Sequence, residues 1–260
     1  MRVRPTPTLG SRVLVCLLAL SPCVAADELN QLSQEEKDQG FRLLFDGQSL
    51  DGWRNYRSET VRPQGQVIDG AMVRTARGGR DLVTRESFGY FDLRLDWTIA
   101  EKGNSGIMFR VDEQTKESHP WRVAPEYQLY DSYNVKARAD RCAGALYGLV
   151  AAPKDLARKP GEWNQTRIVL EPAGDGKDRL RFWLNGTQTV DVTVDPAPDS
   201  EWSKLLADPK SRDHFAPDFF KARTGPILLQ DHGARVAFRN IRIRELGGHG
   251  RPQLVGHGKP

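Results

Sequence analysis

The sequence predicts an all-β protein in which two antiparallel sheets pack face to face. Three observations carry that expectation. About a dozen short segments alternate apolar and polar residues with a period of two, the signature of half-buried strands. Two pairs of these segments are joined by Asp69-Gly70 and Asn185-Gly186, dipeptides that accept two successive positive φ angles and so close a two-residue hairpin. No helical pattern intervenes between strands, so the crossover helices of a parallel sheet are missing.

The elements follow in order. Arg2, Arg4 and Arg12 precede the apolar run 13–20, and Val24-Ala25-Ala26 offers small residues for cleavage, so 1–26 is expected to be a secretory signal peptide. The run is too short to span a bilayer. Lipid attachment at Cys23 is the alternative, which Pro22 disfavours. Residues 27–39 are polar and helix-favouring, with Leu29 and Leu32 spaced for one side. Strands are expected at 42–45, 66–68, 71–75, 81–84, 90–99, 106–111, 126–130, 145–149, 164–171, 180–184, 188–194, 225–230 and 236–244. In 91–99, Phe91, Leu93, Leu95, Trp97 and Ile99 alternate with Asp92, Arg94, Asp96 and Thr98. The stretch 196–223 breaks the pattern with Pro, Asp and Lys, and reads as an insertion with one or two short helices that walls the site. A disordered tail is expected over 247–260, and the sandwich domain over 40–246.

The whole chain carries 38 basic and 34 acidic residues; without the leader, 35 face 34, a net charge of +1. Such a balance does not call for nucleic acid or an anionic membrane. Of three cysteines, Cys16 and Cys23 leave with the leader, and Cys142 alone can form no intramolecular disulfide. It reads as a small buried hydrophobe. The remaining 234 of 260 residues are enough to build a core.

The segments NSGIMFR and PEYQLYD carry the densest chemistry. Strand alternation puts Ile107 and Phe109 on one face and Met108 and Arg110 on the other, while Glu126, Gln128 and Tyr130 oppose Tyr127 and Leu129. A cation, a carboxylate and an amide sharing a sheet face with aromatics suit a groove that grips a sugar.

Six blocks resemble the motifs of the DUF1080 family, also called the 3-keto-disaccharide hydrolase domain. They are GFRLLFDGQSLDGW, NSGIMFR, PEYQLYD, GEWNQTRIVL, FWLNGTQTVD and GPILLQDHGARVAFRNIRI, in the family's order from Gly40 to about Leu246. The resemblance implies a concanavalin A-like jelly roll and cleavage of glycosides whose sugar is oxidised to a ketone at C3. It points to Arg110, Glu126, Gln128, Asp131, Trp163, Asn164, Gln230 and His232 as site residues. Pro125 stands where family members often have Gly, which bears on the loop before the Glu strand.

A C3 ketone acidifies the C2 hydrogen, so a base can form an enolate, the C1–O bond can break by elimination, and water can add back. That route needs a base, an oxyanion stabiliser and an acid for the leaving group. His232 suits the base or acid, Arg110 the oxyanion, and Tyr147 a proton donor. Glu126 could orient His232, act as the base, or bind metal. Glu126, Asp131 and His232 are the candidates for a divalent ion, and no organic cofactor is implied. A separate sugar 3-dehydrogenase would have to supply the ketone.

Plainer readings stand beside these. Asp131 could end a strand, Arg110 and Glu126 could be a cross-strand ion pair, Trp163 could be core, and Trp53 reads as a core anchor. His119, His214, His249 and His257 carry no pattern. The rival function is a lectin-like binding module of the same fold. A conventional endoglucanase is disfavoured because Gln128 and Tyr130 stand where its strand would carry a second carboxyl.

Overall fold

A computed structural model describes residues 29–75, 77–153, 156–212 and 214–247. The expected leader and most of the expected tail lie outside them. A short helix, α1 (Gln34–Asp38), comes first, closed by a capping box in which Ser33 and Glu36 each accept the other's backbone N–H. Leu29 does not anchor this segment, being 44% exposed. Asn30 does: it exchanges backbone-to-side-chain hydrogen bonds of 2.7 and 2.9 Å with Asn240.

Thirteen strands follow: β1 (Arg42–Leu43), β2 (Trp53–Asn55), β3 (Gly65–Ile68), β4 (Ala71–Arg74), β5 (Leu82–Thr84), β6 (Phe91–Ile99), β7 (Asn104–Met108), β8 (Glu126–Tyr130), β9 (Asn164–Pro172), β10 (Asp178–Leu184), β11 (Thr187–Val194), β12 (Leu228–Leu229) and β13 (Val236–Glu245). The larger sheet runs β11-β10-β9-β6-β13-β4-β3 with β1 also on β13, and the smaller runs β2-β5-β12-β7-β8. Every pairing is antiparallel, as expected. Both dipeptide turns close their hairpins with paired positive φ angles, 50° and 70° at Asp69-Gly70 and 50° and 83° at Asn185-Gly186.

The core lies between the sheets. The apolar face of β6 and residues Ile168, Leu170, Phe182 and Leu184 pack toward Leu82, Ile107, Tyr127, Leu129 and Leu229 of the smaller sheet. A polar chain also crosses the core: Trp97 Nε1 donates to Thr166 Oγ1 at 2.9 Å, and Thr166 Oγ1 donates to the Tyr127 hydroxyl at 3.0 Å. That hydroxyl donates to the Trp183 carbonyl at 3.1 Å, so each buried polar atom in the chain has a partner. Trp53 is the expected core anchor, its Nε1 donating to the Leu44 carbonyl at 2.8 Å. Cys142 is buried and free.

The expected strands 225–230 and 42–45 shorten to β12 and β1, β2 was not expected, and two further differences bear on the site. Residues 145–149 form no strand, because Gly144 and Gly148 take positive φ and curl the segment. It still fastens to the outer edge of β8, where Tyr147 N–H donates to the Glu126 carbonyl at 3.0 Å. Strand β7 stops at Met108, short of the expected 106–111. Arg110 there adopts φ +52°, so strand alternation no longer sets its direction. Its guanidinium turns inward, donating to Asp178 Oδ2 at 2.6 Å and to the Gly89 carbonyl at 3.0 Å, with Tyr90 and Phe220 under it. Both ions of this pair are at least 98% buried, and Arg110 thereby ties the end of the smaller sheet to the start of β10.

Breaking one side of such a pair leaves a buried charge unmatched. Asp178→Asn should therefore lower unfolding stability in urea by about 3–5 kcal/mol. A loss under 1 kcal/mol would show that the pair contributes little.

Candidate active site

The smaller sheet has a second face, turned away from the core. Because side chains alternate, Tyr127 and Leu129 enter the core while Glu126 and Gln128 of β8 point outward. The register sets Met108 opposite Glu126 and Gly106 opposite Gln128, and Gln230 N–H bonds the Gly106 carbonyl at 2.9 Å. Asp81, just before β5, reaches the same face.

A cleft of about 700 Å³ lies over this floor, a volume ordinary for a small-molecule site. Asp81, Asn104, Glu126, Gln128 and Gln230 line it from the sheet, His119, Trp121 and Tyr147 from the loops at one side, and Arg77, Asp231 and His232 from loops elsewhere.

Gly106 is what lets Glu126 lie in this floor. A Cβ at that position would stand 2.0 Å from Glu126 Oε1 and 2.6 Å from its Cδ. The carboxyl thus folds down into the gap left by a missing side chain. It is 4% exposed, and among the described residues it makes no hydrogen bond. Burial first, and the nearby charge of Asp81 second, push its pKa well above the usual carboxylate range. Both effects favour the protonated form of this carboxyl.

Asp81 is tuned less far. Burial pushes its carboxyl up to about 6, opposed by the Asp231 backbone N–H, which donates to Asp81 Oδ1 at 2.7 Å. The Asp231 charge raises it further, while Arg74 and His119 lower it. Arg74 reaches this network from behind, fully buried, its Nη2 donating to Asp231 Oδ2 at 2.7 Å. Gly79 leaves room for it, since a Cβ there would lie 1.8 Å from that nitrogen. Burial also raises the Tyr147 phenol above its usual value. The floor therefore offers one carboxyl whose neutral form is favoured, a second that ionises near pH 6, and a phenol.

Of the residues expected at the site, Glu126, Gln128, Tyr147, Gln230 and His232 meet in the cleft. His232 is at the exposed rim. Arg110 is elsewhere, for the reason given above. Asp131 is a turn residue, accepting from Lys102 N–H at 2.8 Å and Asn134 N–H at 3.0 Å. Trp163 packs beside Ala71, Val73 and Ala237 on the outer face of the larger sheet, under the Arg239 guanidinium. Asn164 is buried, its Oδ1 accepting from Arg158 N–H and Asn185 Nδ2. With Asp131 committed to its turn, the set Glu126, Asp131 and His232 does not converge, and no group of three His, Cys, Asp or Glu positioned for a metal occurs among the described residues.

Among the cleft residues absent from the expected set, Asp81, His119, Trp121 and Arg77 matter most to the chemistry of its walls. Asp81 opens an expected strand, so its outward position on the Val83 face was open to reading from period-two alternation. The other three sit in loops without periodicity.

A family model described as 3-keto-alpha-glucoside-1,2-lyase-like domain matches residues 40–244. The chain belongs to the DUF1080 family, the 3-keto-disaccharide hydrolase domain. A relative from Bacteroides thetaiotaomicron, named 3-keto-disaccharide hydrolase, is 27% identical over 258 residues, covering 88% of this chain and 86% of that protein. A solved Parabacteroides distasonis structure described as a glycosyl hydrolase is 29% identical with a TM-score of 0.72, covering 85% of this chain and 100% of that one. A second from the same organism, at 22% identity and TM-score 0.57, covers 79% and 99% and shares the fold.

The Asp81 carboxyl is more easily ionised in an unfolded chain, near 3.8, than in the fold, near 6. The fold thus favours its neutral form, and that stabilisation is complete below the unfolded value and lost as pH rises through the folded one. Asp81→Asn keeps an oxygen for the Asp231 N–H and removes the charge. It should stabilise the protein by about 1–3 kcal/mol at pH 8 and by almost nothing at pH 4. Thermal melts at the two pH values check this, and equal shifts at both would contradict it.

Proposed function

We propose that this protein cleaves 3-keto-glycosides by elimination and rehydration. Asp81 takes the C2 proton, the C–H electrons form an enolate, and the C1–O bond breaks as Glu126 gives its proton to the leaving oxygen. Water then adds to C1 of the enone and a proton returns to C2, so the net change is hydrolysis. Arg77, in the cleft wall, takes the oxyanion role first assigned to Arg110. His232, at the rim, exchanges protons with the incoming water. The family's description and the name of the Bacteroides relative support a keto-sugar substrate. One observation carries the chemistry: a single floor holds two carboxyls in unequal environments, Glu126 folded without a hydrogen bond into the gap at Gly106 and Asp81 accepting from the Asp231 N–H, a contrast that suits one to be the acid and the other the base.

We further propose export through the leader at 1–26, and a separate dehydrogenase that oxidises C3 of the sugar before this protein acts.

The test is incubation with a 3-keto-disaccharide in D₂O. Ketosugar should be released carrying deuterium at C2. The kcat profile should rise as Asp81 ionises near pH 6 and fall at higher pH as Glu126 loses its proton. Glu126→Gln should lower kcat by about 10²–10⁴-fold. Gly106→Ala should also lower it, by displacing the acid, with little change in Tm.

Asp81 also restores the second carboxyl that β8 lacks, which favours direct paired-carboxyl hydrolysis of unoxidised glycosides as the alternative reading. Turnover of an unoxidised disaccharide with no C2 label would support that chemistry and defeat the first.

A further inference from the structure

The cleft has two chemically different sides, and this difference carries an inference about the leaving group. On the floor, Gln128 and Gln230 each present a buried side-chain oxygen with no hydrogen-bond partner among the described residues. Gln128 is 2% exposed, and its Nε2 is already held by Asn104 Oδ1 at 2.8 Å. An orphaned buried acceptor is costly unless a ligand satisfies it. Sugar hydroxyls supply such donors, and these two amides flank the two carboxyls. The oxidised ring belongs on this floor.

The side wall is aromatic. Trp121 lies in a 3₁₀ turn, Pro120–Arg122, that carbonyl contacts to Ala216 and Phe220 hold in place. His214 stacks on Trp121 with centroids 4.7 Å apart, and Phe215 meets His214 edge-on at 5.2 Å. Burial, followed by Arg141 and Arg122, lowers the His214 pKa and so favours the neutral ring behind Trp121. Tyr147 approaches Trp121 at 6.4 Å and also borders the cleft. A half-buried indole, braced from behind by a fixed stack and bordering a polar cleft, suits the apolar face of a second ring.

Resting on the functional reading above, we infer that Trp121, with Tyr147 beside it, forms the leaving-group subsite. It selects glycosides whose departing group is a second pyranose or an aryl ring over those with a small alkyl group. Trp121 is a specificity residue, distinct from the acid and base.

The experiment compares a 3-keto-disaccharide with the methyl 3-keto-glycoside in wild type, Trp121→Phe and Trp121→Ala. In Trp121→Ala the ratio of kcat/KM between the large and small substrates should fall about tenfold or more, through KM, and Trp121→Phe should recover part of it. An unchanged ratio, with both substrates losing equally, overturns the subsite and leaves Trp121 a structural role. Should Trp121→Ala fail to fold, Trp121→Leu keeps the packing without the π face and must lower the same ratio. If wild type turns over neither compound, the functional reading fails. Calorimetric titration of the two compounds then decides the subsite by itself: tighter binding of the larger, lost in the variant, supports it, and equal binding refutes it.

Discussion

A carboxyl group kept dry is the constraint on which the site depends. Glu126 sits on the outward face of a sheet, where water would normally solvate it and hold its pKa near the ordinary value. The fold denies it that water through an absence. Gly106 in the neighbouring strand leaves a gap in the floor, and the side chain folds into it within van der Waals reach of bare backbone. Antiparallel register decides which residue lies beside which, so the gap and the acid must be aligned by β7 and β8 together. A one-residue slip would send Glu126 into the core and Tyr127 into the cleft.

Holding that register falls to interactions away from the chemistry. Strand β7 is short, and the left-handed Arg110 two residues beyond its end stops the ladder just past Met108. Arg110 and Asp178 clamp that end to the larger sheet, and Tyr90 and Arg223 add two more contacts to the same carboxylate. On the other side, the polar chain from Trp97 through Thr166 and Tyr127 fixes the middle of β8 against β6 and β9. Asp81 and Glu126 cost stability in the cleft, and these buried ion pairs and hydrogen bonds offset it.

The frame was legible in the sequence because period-two alternation and glycine turns are local signals. The Asp69-Gly70 and Asn185-Gly186 hairpins, the long β6 and the outward pair Glu126 and Gln128 could be read from neighbours a few positions apart. Arg110 could not, since alternation holds only while the chain remains extended, and a positive φ at that residue reverses it. Asp131, Trp163 and Asn164 belong to matching family blocks yet serve turns and packing, so a motif's presence did not separate chemistry from scaffold. The aromatic wall was least legible. Trp121 and His214 are 93 positions apart in irregular segments, and what joins them is a stack visible only in three dimensions.

The asymmetry between the two carboxyls has a physical source that alternation does not encode. Both are desolvated, and desolvation alone would push both upward together. Asp81 is held lower because a backbone N–H donates to it and because Arg74, two steps behind through Asp231, contributes positive charge. Glu126 receives neither. The difference is thus one hydrogen-bond donor, delivered by the turn before Gly233, and the charge of a cation that fits only because residue 79 lacks a side chain. Two glycines, one beside Glu126 and one beside the cation behind Asp81, set the geometry from which the two carboxyls diverge. A C3 ketone makes modest demands on such a pair. The C2 hydrogen it acidifies is within the capacity of a carboxylate near pH 6, where an unactivated sugar carbon would not be. The tuning therefore agrees with the proposed reaction on a sugar already oxidised at C3.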